Sequence, residues 1–266
     1  MSVVLHISDT HFGTERDFAQ RALSALVGEL QPELLIVSGD ITQRATAAQF
    51  AAARRWLDQL AVPHCLLLPG NHDIPLFALW QRLFSPYRRF RRGLRVDALA
   101  PQHIRDDLHV VSVKTTRRRR HIDGEVSARQ IDAIREDLLQ ADPAALKIVV
   151  THQPLWVDRE RDQHNRCHGA DPALRAWCEA GADLFLSGHI HWPFVIELPH
   201  RRGSWVANAG TATSWRIRDG APNSCNVLRY QADTRRCEVE RWDCLATDPV
   251  FRRAAQHSLS LRGRSG

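Results

Sequence analysis

Apolar runs recur along the chain, and each closes on a short polar segment. Val3, Val4, Leu5 and Ile7 lead into Ser8-Asp9-Thr10-His11, residues 34–37 into Gly39-Asp40, and residues 65–68 into Gly70-Asn71-His72-Asp73. Residues 148–150 lead into Thr151-His152, and residues 184–186 into Gly188-His189-Ile190-His191. Short continuous apolar runs bounded by turn residues read as buried strands. Amphipathic stretches at 18–30, 46–60, 76–84, 128–139 and 172–180 read as helices between them, with Ser127 and Asp171 as N-caps. Residues 108–113 add a strand. After Gly188 the texture changes to short strand candidates at 194–198, 204–207, 226–230 and 237–242, separated by turns with no comparable helix. The alternation predicts an α/β chain of βα units followed by a β-rich half expected to supply a second sheet. Residues 248–266 hold few large apolar side chains and predict a surface helix fading into a mobile polar tail, which leaves one domain over 1–247.

As candidate ligands the polar segments supply two non-adjacent carboxylates, Asp9 and Asp40, one amide and four imidazoles, with a fifth imidazole, His72, and a third carboxylate, Asp73, beside them. Asp9 and His11 stand two positions apart, and on extended chain such residues point to the same side. Glycine beside Asp40 and Asn71 permits a sharp turn and a close approach of backbone to ligand. Ligands of open α/β sheets gather at the carboxyl ends of strands, where all five segments fall. That inventory suits a two-metal hydrolytic site.

The order D-x-H, G-D, G-N-H-[DE], H and G-H-x-H resembles the signature of the calcineurin-like metallophosphoesterases, matched from Asp9 to His191 without a missing ligand. The resemblance implies a four-layer α-β-β-α sandwich with the ligand loops at one edge of the paired sheets. It implies one metal on Asp9, His11, Asp40 and His191, and a second on Asp40, Asn71, His152 and His189, with Asp40 bridging. His72 corresponds to the family's catalytic non-ligand histidine, and Asp73 to the acid that orients it.

Two cations roughly 3.5–4 Å apart can hold both the attacking and the leaving oxygens of an in-line displacement at phosphorus. A hydroxide bridging them is the expected nucleophile, and His72 the expected donor to the leaving alkoxide. A mixed oxygen and imidazole set without cysteine suits Mn, Fe or Zn better than Ca or Mg. Mn ranks first among the two-metal pairings that the resemblance implies.

At 266 residues and 44 % hydrophobic content the chain can bury one sizeable core. No apolar stretch approaches the ~20 residues that span a bilayer. The chain enters its first strand without a charged leader, so a cytoplasmic protein is expected. Six cysteines without a C-x-x-C pair read as free thiols, with Cys167 placed where it could line the site. The net charge of +6 comes almost wholly from arginine, since Lys114 and Lys147 are the lysines. The arginines within 82–95 and the run Arg117 to Arg120 could form a basic rim for phosphates or for an anionic inner-membrane surface. A solvated face that supports solubility is the other reading. Neither a nucleic acid nor a protein partner is expected.

Substrate choice should lie between the motifs. Residues 155–169 could close over the site as a cap, with His164, Asn165 and Arg166 toward substrate, and Thr211 in the 210–214 turn could assist phosphate binding. Gly39 to Arg44 lacks the second aspartate of the protein phosphatases. His72 stands where the related lipid A precursor hydrolases generally carry arginine. The overall resemblance is to bacterial class III cyclic nucleotide phosphodiesterases. The sequence thus predicts a binuclear phosphodiesterase for small phosphodiesters such as cyclic nucleotides. The alternatives are a hydrolase of phospholipid-like or nucleotide-lipid esters at the membrane surface, and a non-catalytic scaffold.

Overall fold

The first strand, β1 (Ser2–Ile7), sends Leu5 and Ile7 to one face and Val4 to the other, so both faces must be covered. The computed structural model of the chain, which describes residues 1–76, 78–120, 122–218 and 220–262, shows how. In chain order follow α1 (Asp17–Leu30), β2 (Leu34–Val37), α2 (Ala47–Leu60), β3 (His64–Leu67), α3 (Leu79–Phe84) and α4 (Arg88–Leu94). Then come β4 (Gln102–Ile104), β5 (Leu108–Ser112), α5 (Ala128–Gln140), β6 (Leu146–Val150), α6 (Ala170–Glu179) and β7 (Leu184–Ser187). The chain ends with β8 (Phe194–Glu197), β9 (Trp205–Asn208), β10 (Asn223–Gln231), β11 (Arg236–Leu245) and β12 (Asp248–Leu259).

Two six-stranded sheets result, in the orders β12-β11-β10-β1-β2-β3 and β4-β5-β6-β7-β9-β8. β1, β2 and β3 run parallel, as do β5, β6, β7 and β9. Leu5, Leu35 and Val37 pack under helices α1, α2 and α4 with Leu23, Phe50 and Phe90. Val149 and Phe185 pack under α5 and α6 with Leu138, Leu174 and Trp177. Val4, Leu34 and Ile36 of the first sheet meet Val110, Ile148 and Leu184 of the second. These three apolar interfaces make a four-layer α-β-β-α sandwich, and strands buried on both faces explain why their sequences read as unbroken apolar runs.

Three readings of the sequence are corrected here. The β-rich half does not form the second sheet by itself: β8 and β9 join β5 to β7, whereas β10, β11 and β12 extend the first sheet beside β1. Residues 248–259 form strand β12 rather than a helix, pairing with β11 along an edge. Its exposed Arg252 and Arg253 and its register shifts are features of a blunted sheet edge, and they hid the strand period. Residues 263–266 of the tail expectation lie outside the described residues, as does Phe77 within the helix expected at 76–84, which starts at Leu79. Asp171 sits in the first turn of α6, and Gly169 takes the cap position. Ser127 does cap α5, with Gln130 completing a capping box, and Thr46 with Gln49 does the same for α2. Short α4 and β4 carried too few apolar positions to be seen.

A metal centre at the shared sheet edge

The loops after β1 and β2 run side by side beyond the strands, with Asp9 N–H donating to the Gly39 carbonyl at 3.0 Å and His11 N–H to the Asp40 carbonyl at 3.0 Å. Strand β1 ends at Ile7, so Asp9 and His11 do not converge through strand alternation as the spacing suggested. Both are left-handed, with φ of 55° and 46°, as are Asp40 (49°), His189 (70°) and His191 (55°). That conformation costs an ordinary residue about 1–2 kcal/mol, and it persists where surrounding contacts over-determine it. Five such residues in one cluster mark where the fold spends stability on geometry.

Close packing of the loops demands glycine. Gly39 has φ of 113°, and a methyl group there would strike the His152 ring. A methyl group on Gly188 would strike Ser8 Oγ and the Asp9 carboxylate.

Asp9, His11, Asp40 and His191 bring one ligand atom each to within 4.8 Å of one another, and Asp40, His152 and His189 form a second such group. The two groups share Asp40. His191 Nε2 lies 3.0 Å from Asp9 Oδ1 and 3.2 Å from His11 Nε2. His11 Nε2 lies 3.8 Å from Asp40 Oδ2. On the other side, His152 Nε2 lies 3.3 Å from Asp40 Oδ1 and 3.1 Å from Asn71 Oδ1.

Hydrogen bonds decide which imidazole nitrogens are available. His152 Nδ1 faces the Ser38 carbonyl at 2.9 Å, and His191 Nδ1 faces the Arg216 carbonyl at 2.7 Å. A carbonyl only accepts, so both Nδ1 atoms carry protons and Nε2 is the free ligand atom. The inward-facing atoms are then carboxylate oxygens, an amide oxygen and imidazole lone pairs, acceptors facing acceptors with little water access. A cation satisfies all of them together, so the donor set fits a metal.

Charge shifts express the same demand. Burial works against ionisation of Asp40, but the imidazoles of His152, His72 and His11 hold it well below the usual carboxylate range. Burial likewise opposes ionisation of Asp9, and His191 with His11 holds it low. Against burial, Asp40 carries His152 up to about 9, so a cation at this Nε2 would bind in place of a proton. Burial drives His11 down to about 4 and His189 to about 3.

His72 and Asp73 sit on a single 3-10 turn, Asn71–Asp73, after β3. The His72 ring is not oriented by Asp73. Its Nδ1 lies 2.9 Å from the Gln43 carbonyl, whereas buried Asp73 accepts from the N–H groups of Gly70, Ile41 and Thr42 and from the Thr42 hydroxyl. Asp73 thereby clamps the Asp40 loop to the Asn71 turn. Burial and the neighbouring Asp40 carboxylate push its own pKa up to about 7.

Arg216 had no signal in the sequence. Its guanidinium donates to Gln43 Oε1 at 3.0 Å and lies 3.4 Å from His72 Nε2, while its carbonyl holds His191. Thr211 is buried and donates its hydroxyl to that same carbonyl at 3.2 Å, so it braces the loop. In the expected cap, Arg166 bonds the Leu155 carbonyl at 2.9 Å and pairs with Asp171, pinning the segment to itself. His164 is exposed and Asn165 half-buried on the turn Glu160–Asn165. The segment does border the centre, since Asp162 pairs with Arg218 at 2.7 Å and Arg159 stacks on Trp192, next to His191. Cys167 packs in the core beneath α6, its thiol pushed by burial up to about 12, away from the metal cluster. All six cysteines are free.

A buried carboxylate and imidazole cluster at the edge of a four-layer sandwich, in a chain matched by a phosphoesterase family model and similar to phosphodiesterases, defines the class: the protein is a metal-dependent phosphoric ester hydrolase. The chain belongs to the calcineurin-like phosphoesterase family, whose model matches residues 2–193. It is 24 % identical over 262 residues to a cAMP/cGMP dual specificity phosphodiesterase of Mycobacterium tuberculosis, covering 87 % of this chain and 77 % of that one. A probable cyclic nucleotide phosphodiesterase of a Synechococcus strain is 24 % identical over 204 residues, covering 72 % and 74 %. The fold is similar to that of a dimetal phosphatase from Danio rerio, with a TM-score of 0.65 at 12 % identity over 98 % of this chain and 99 % of that one. Among the described residues no helix is long and apolar enough to cross a membrane.

Proposed function

We propose that the protein is a binuclear phosphodiesterase that cleaves small phosphodiesters, with cyclic nucleotides as the leading natural class and Mn as the leading metal. The observation that carries the binuclear reading is the position of Asp40, which offers Oδ2 to His11 and Oδ1 to His152. One carboxylate between two nitrogen sets is the arrangement that lets two cations share a ligand. Cations bound there would polarise the phosphoryl oxygens and acidify a water for attack at phosphorus.

The chain's own residues supply the rest. Asp9, His11 and His191 would hold one cation, Asn71, His152 and His189 the other, with Asp40 common to both. The Gln43 carbonyl accepts the Nδ1 proton and fixes the His72 ring so that Nε2 faces the site, where the doubly protonated ring would pass its Nε2 proton to the leaving alkoxide. Arg216 places a permanent positive charge beside that nitrogen, in reach of a phosphoryl oxygen. The cyclic nucleotide preference draws support from the two phosphodiesterase relatives and from the Gly-Asn-His-Asp form of the turn.

The test is hydrolysis by metal-reconstituted protein of bis-p-nitrophenyl phosphate, p-nitrophenyl phosphate, 3′,5′- and 2′,3′-cyclic nucleotides and a glycerophosphodiester, each with Mn, Fe, Zn or Mg. Turnover of diesters over the monoester, greatest with Mn and with a cyclic nucleotide as the best natural ester, is expected. Monoester turnover alone, or activity with one metal equivalent equal to that with two, would overturn the reading.

A further inference from the structure

Helix α3 exposes Trp80, Leu83 and Phe84 instead of burying them. Trp80 is 77 % exposed and Phe84 72 %, with Leu83 beside them at 47 %. The Trp80 and Phe84 rings stack with centroids 5.9 Å apart and planes 6° apart, forming one projecting apolar ridge. Leaving such a ridge in water forgoes the free energy of burying large apolar side chains, so a contiguous feature of this kind marks a contact surface.

The chain around the ridge is arginine without acid. Between Asp73 and Asp97 there is no acidic residue, and the stretch includes Arg82, Arg88, Arg91, Arg92 and Arg95. A second segment, Lys114 to Ile122, is equally free of acid and holds Arg117 to Arg120. The two are joined at the ridge: Arg82 donates to the Arg118 carbonyl at 2.8 Å, and Arg118 donates to the Leu83 carbonyl at 2.5 Å. Backbone carbonyls fix these guanidiniums without neutralising them. Among the described residues only Arg120 of this set has a carboxylate within ion-pair distance, Glu125 at 3.5 Å. Helix α4 buries Phe90 and Leu94 against the core and leaves Arg88, Arg91 and Arg92 outside. A groove of about 370 Å³ lies on this face, lined by Gln81, Arg88, Arg89 and Arg92.

This face flanks the centre. Arg89 bonds the Ala45 carbonyl at 3.1 Å on the loop that carries Asp40, and Gln153, next to His152, donates to the Ile122 carbonyl at 3.0 Å.

We propose that α3, α4 and residues 117–120 form a docking surface for an anionic phospholipid bilayer, with Trp80, Leu83 and Phe84 entering the headgroup boundary and the arginines taking lipid phosphates. Tryptophan and arginine together favour that boundary, the ring at the headgroup level and the guanidinium on lipid phosphates. A single-stranded nucleic acid fits less well, because Trp80 and Phe84 stack on each other and do not offer separate platforms to successive bases. The surface does not rest on the phosphodiester reading; it would set the catalytic edge beside the membrane whichever ester is cleaved.

The test is co-sedimentation of the full chain with vesicles of phosphatidylglycerol and phosphatidylcholine, and with phosphatidylcholine vesicles alone. Binding to the mixed vesicles that weakens with salt, and little to the neutral ones, is expected. Trp80→Ser with Phe84→Ser, and separately Arg91→Ala with Arg92→Ala, should each lower vesicle partition by about tenfold or more. All these side chains are exposed, so far-ultraviolet circular dichroism and the thermal midpoint should stay at the wild-type values and report an intact fold. Equal partition of the variants and the wild type, or no binding to mixed vesicles, overturns the proposal. Salt-sensitive binding of a single-stranded oligonucleotide in place of vesicles would reassign the face to nucleic acid, and a Trp80-dependent dimer in light scattering would reassign it to self-association.

Discussion

The backbone N–H of His72 donates to Asp40 Oδ1 at 2.7 Å. The turn that carries the proposed proton donor is thus tied to the carboxylate shared by both ligand sets. Asp40→Asn keeps the shape but removes the charge, and its amide can present only one oxygen. The expected outcome is a fall from two bound metal equivalents to one or none by elemental analysis, with kcat/KM down by more than about 100-fold. Unchanged metal content would remove Asp40 from its bridging place.

Arg216 and His72 should separate by kinetics. His72→Ala is expected to lower kcat by about 10²–10⁴-fold with metal content intact, most strongly for diesters with poor leaving groups. Arg216→Ala should cost about 10²–10³-fold for every ester, since it removes a charge that serves the phosphoryl oxygen rather than the leaving group. Arg216→Lys should recover little, because a lysine ammonium cannot span Gln43 and a phosphoryl oxygen as the guanidinium fork can. Equal sensitivity of the two variants to leaving-group pKa would contradict this division.

Gly188→Ala probes the closeness of the two sheets. The added methyl group meets Ser8 Oγ and the Asp9 carboxylate, and the second of these cannot move without leaving His191. Reduced metal retention during dialysis and a lowered thermal midpoint are expected, with far-ultraviolet circular dichroism preserved. Gly28→Ala, inside helix α1 where an added methyl group meets nothing within 4 Å, is the control: metal retention should be unchanged and the thermal midpoint equal or slightly raised, since alanine favours a helix over glycine.

His6 predicts a pH dependence of folding. It is fully buried in β1 between Ser38 Oγ at 2.9 Å and the Asn226 amide at 3.3 Å, and burial drives its pKa down to about 3 although Asp9 pulls the other way. The unfolded chain protonates this imidazole near its ordinary value of 6.5. Stability from keeping His6 neutral is therefore fully present above about pH 6.5 and is lost as the pH falls toward about 3. Unfolding near pH ~5 should take up about one proton more in the wild type than in His6→Gln, read from the slope of unfolding free energy against pH. Identical slopes would show that His6 is not held neutral.

His6 also marks a limit of sequence reading. The run Val3, Val4, Leu5, Ile7 is legible as a strand because it is apolar on both faces, and His6 within it carries no signal of its own. Its role shows only across strands: Asn226 of β10, His6 of β1 and Ser38 after β2 form a buried polar line, and the Ser38 carbonyl then fixes His152. Arg216 was invisible for the same reason, being 25 positions from His191 in a turn with no periodicity. Asp73 was assigned to His72 by position in a motif, but its carboxylate turns to the backbone of the Asp40 loop.

The sequence by itself determined which atoms could hold a cation, because ligand chemistry resides in residue type, and it placed them at strand ends, because buried parallel strands are apolar without a break. It determined the βα alternation and the helix cap at Ser127, which are local in the chain. Only the tertiary structure decided that β10 to β12 extend the first sheet while β8 and β9 extend the second. Edge pairing is chosen by contacts far apart in sequence. It alone decided the left-handed turns at Asp9, His11, Asp40, His189 and His191. Those conformations are unfavourable locally and are held by the loops packing against one another. The exposed ridge of Trp80 and Phe84 belongs with them, since a helix pattern shows which residues share a face and not whether anything covers it.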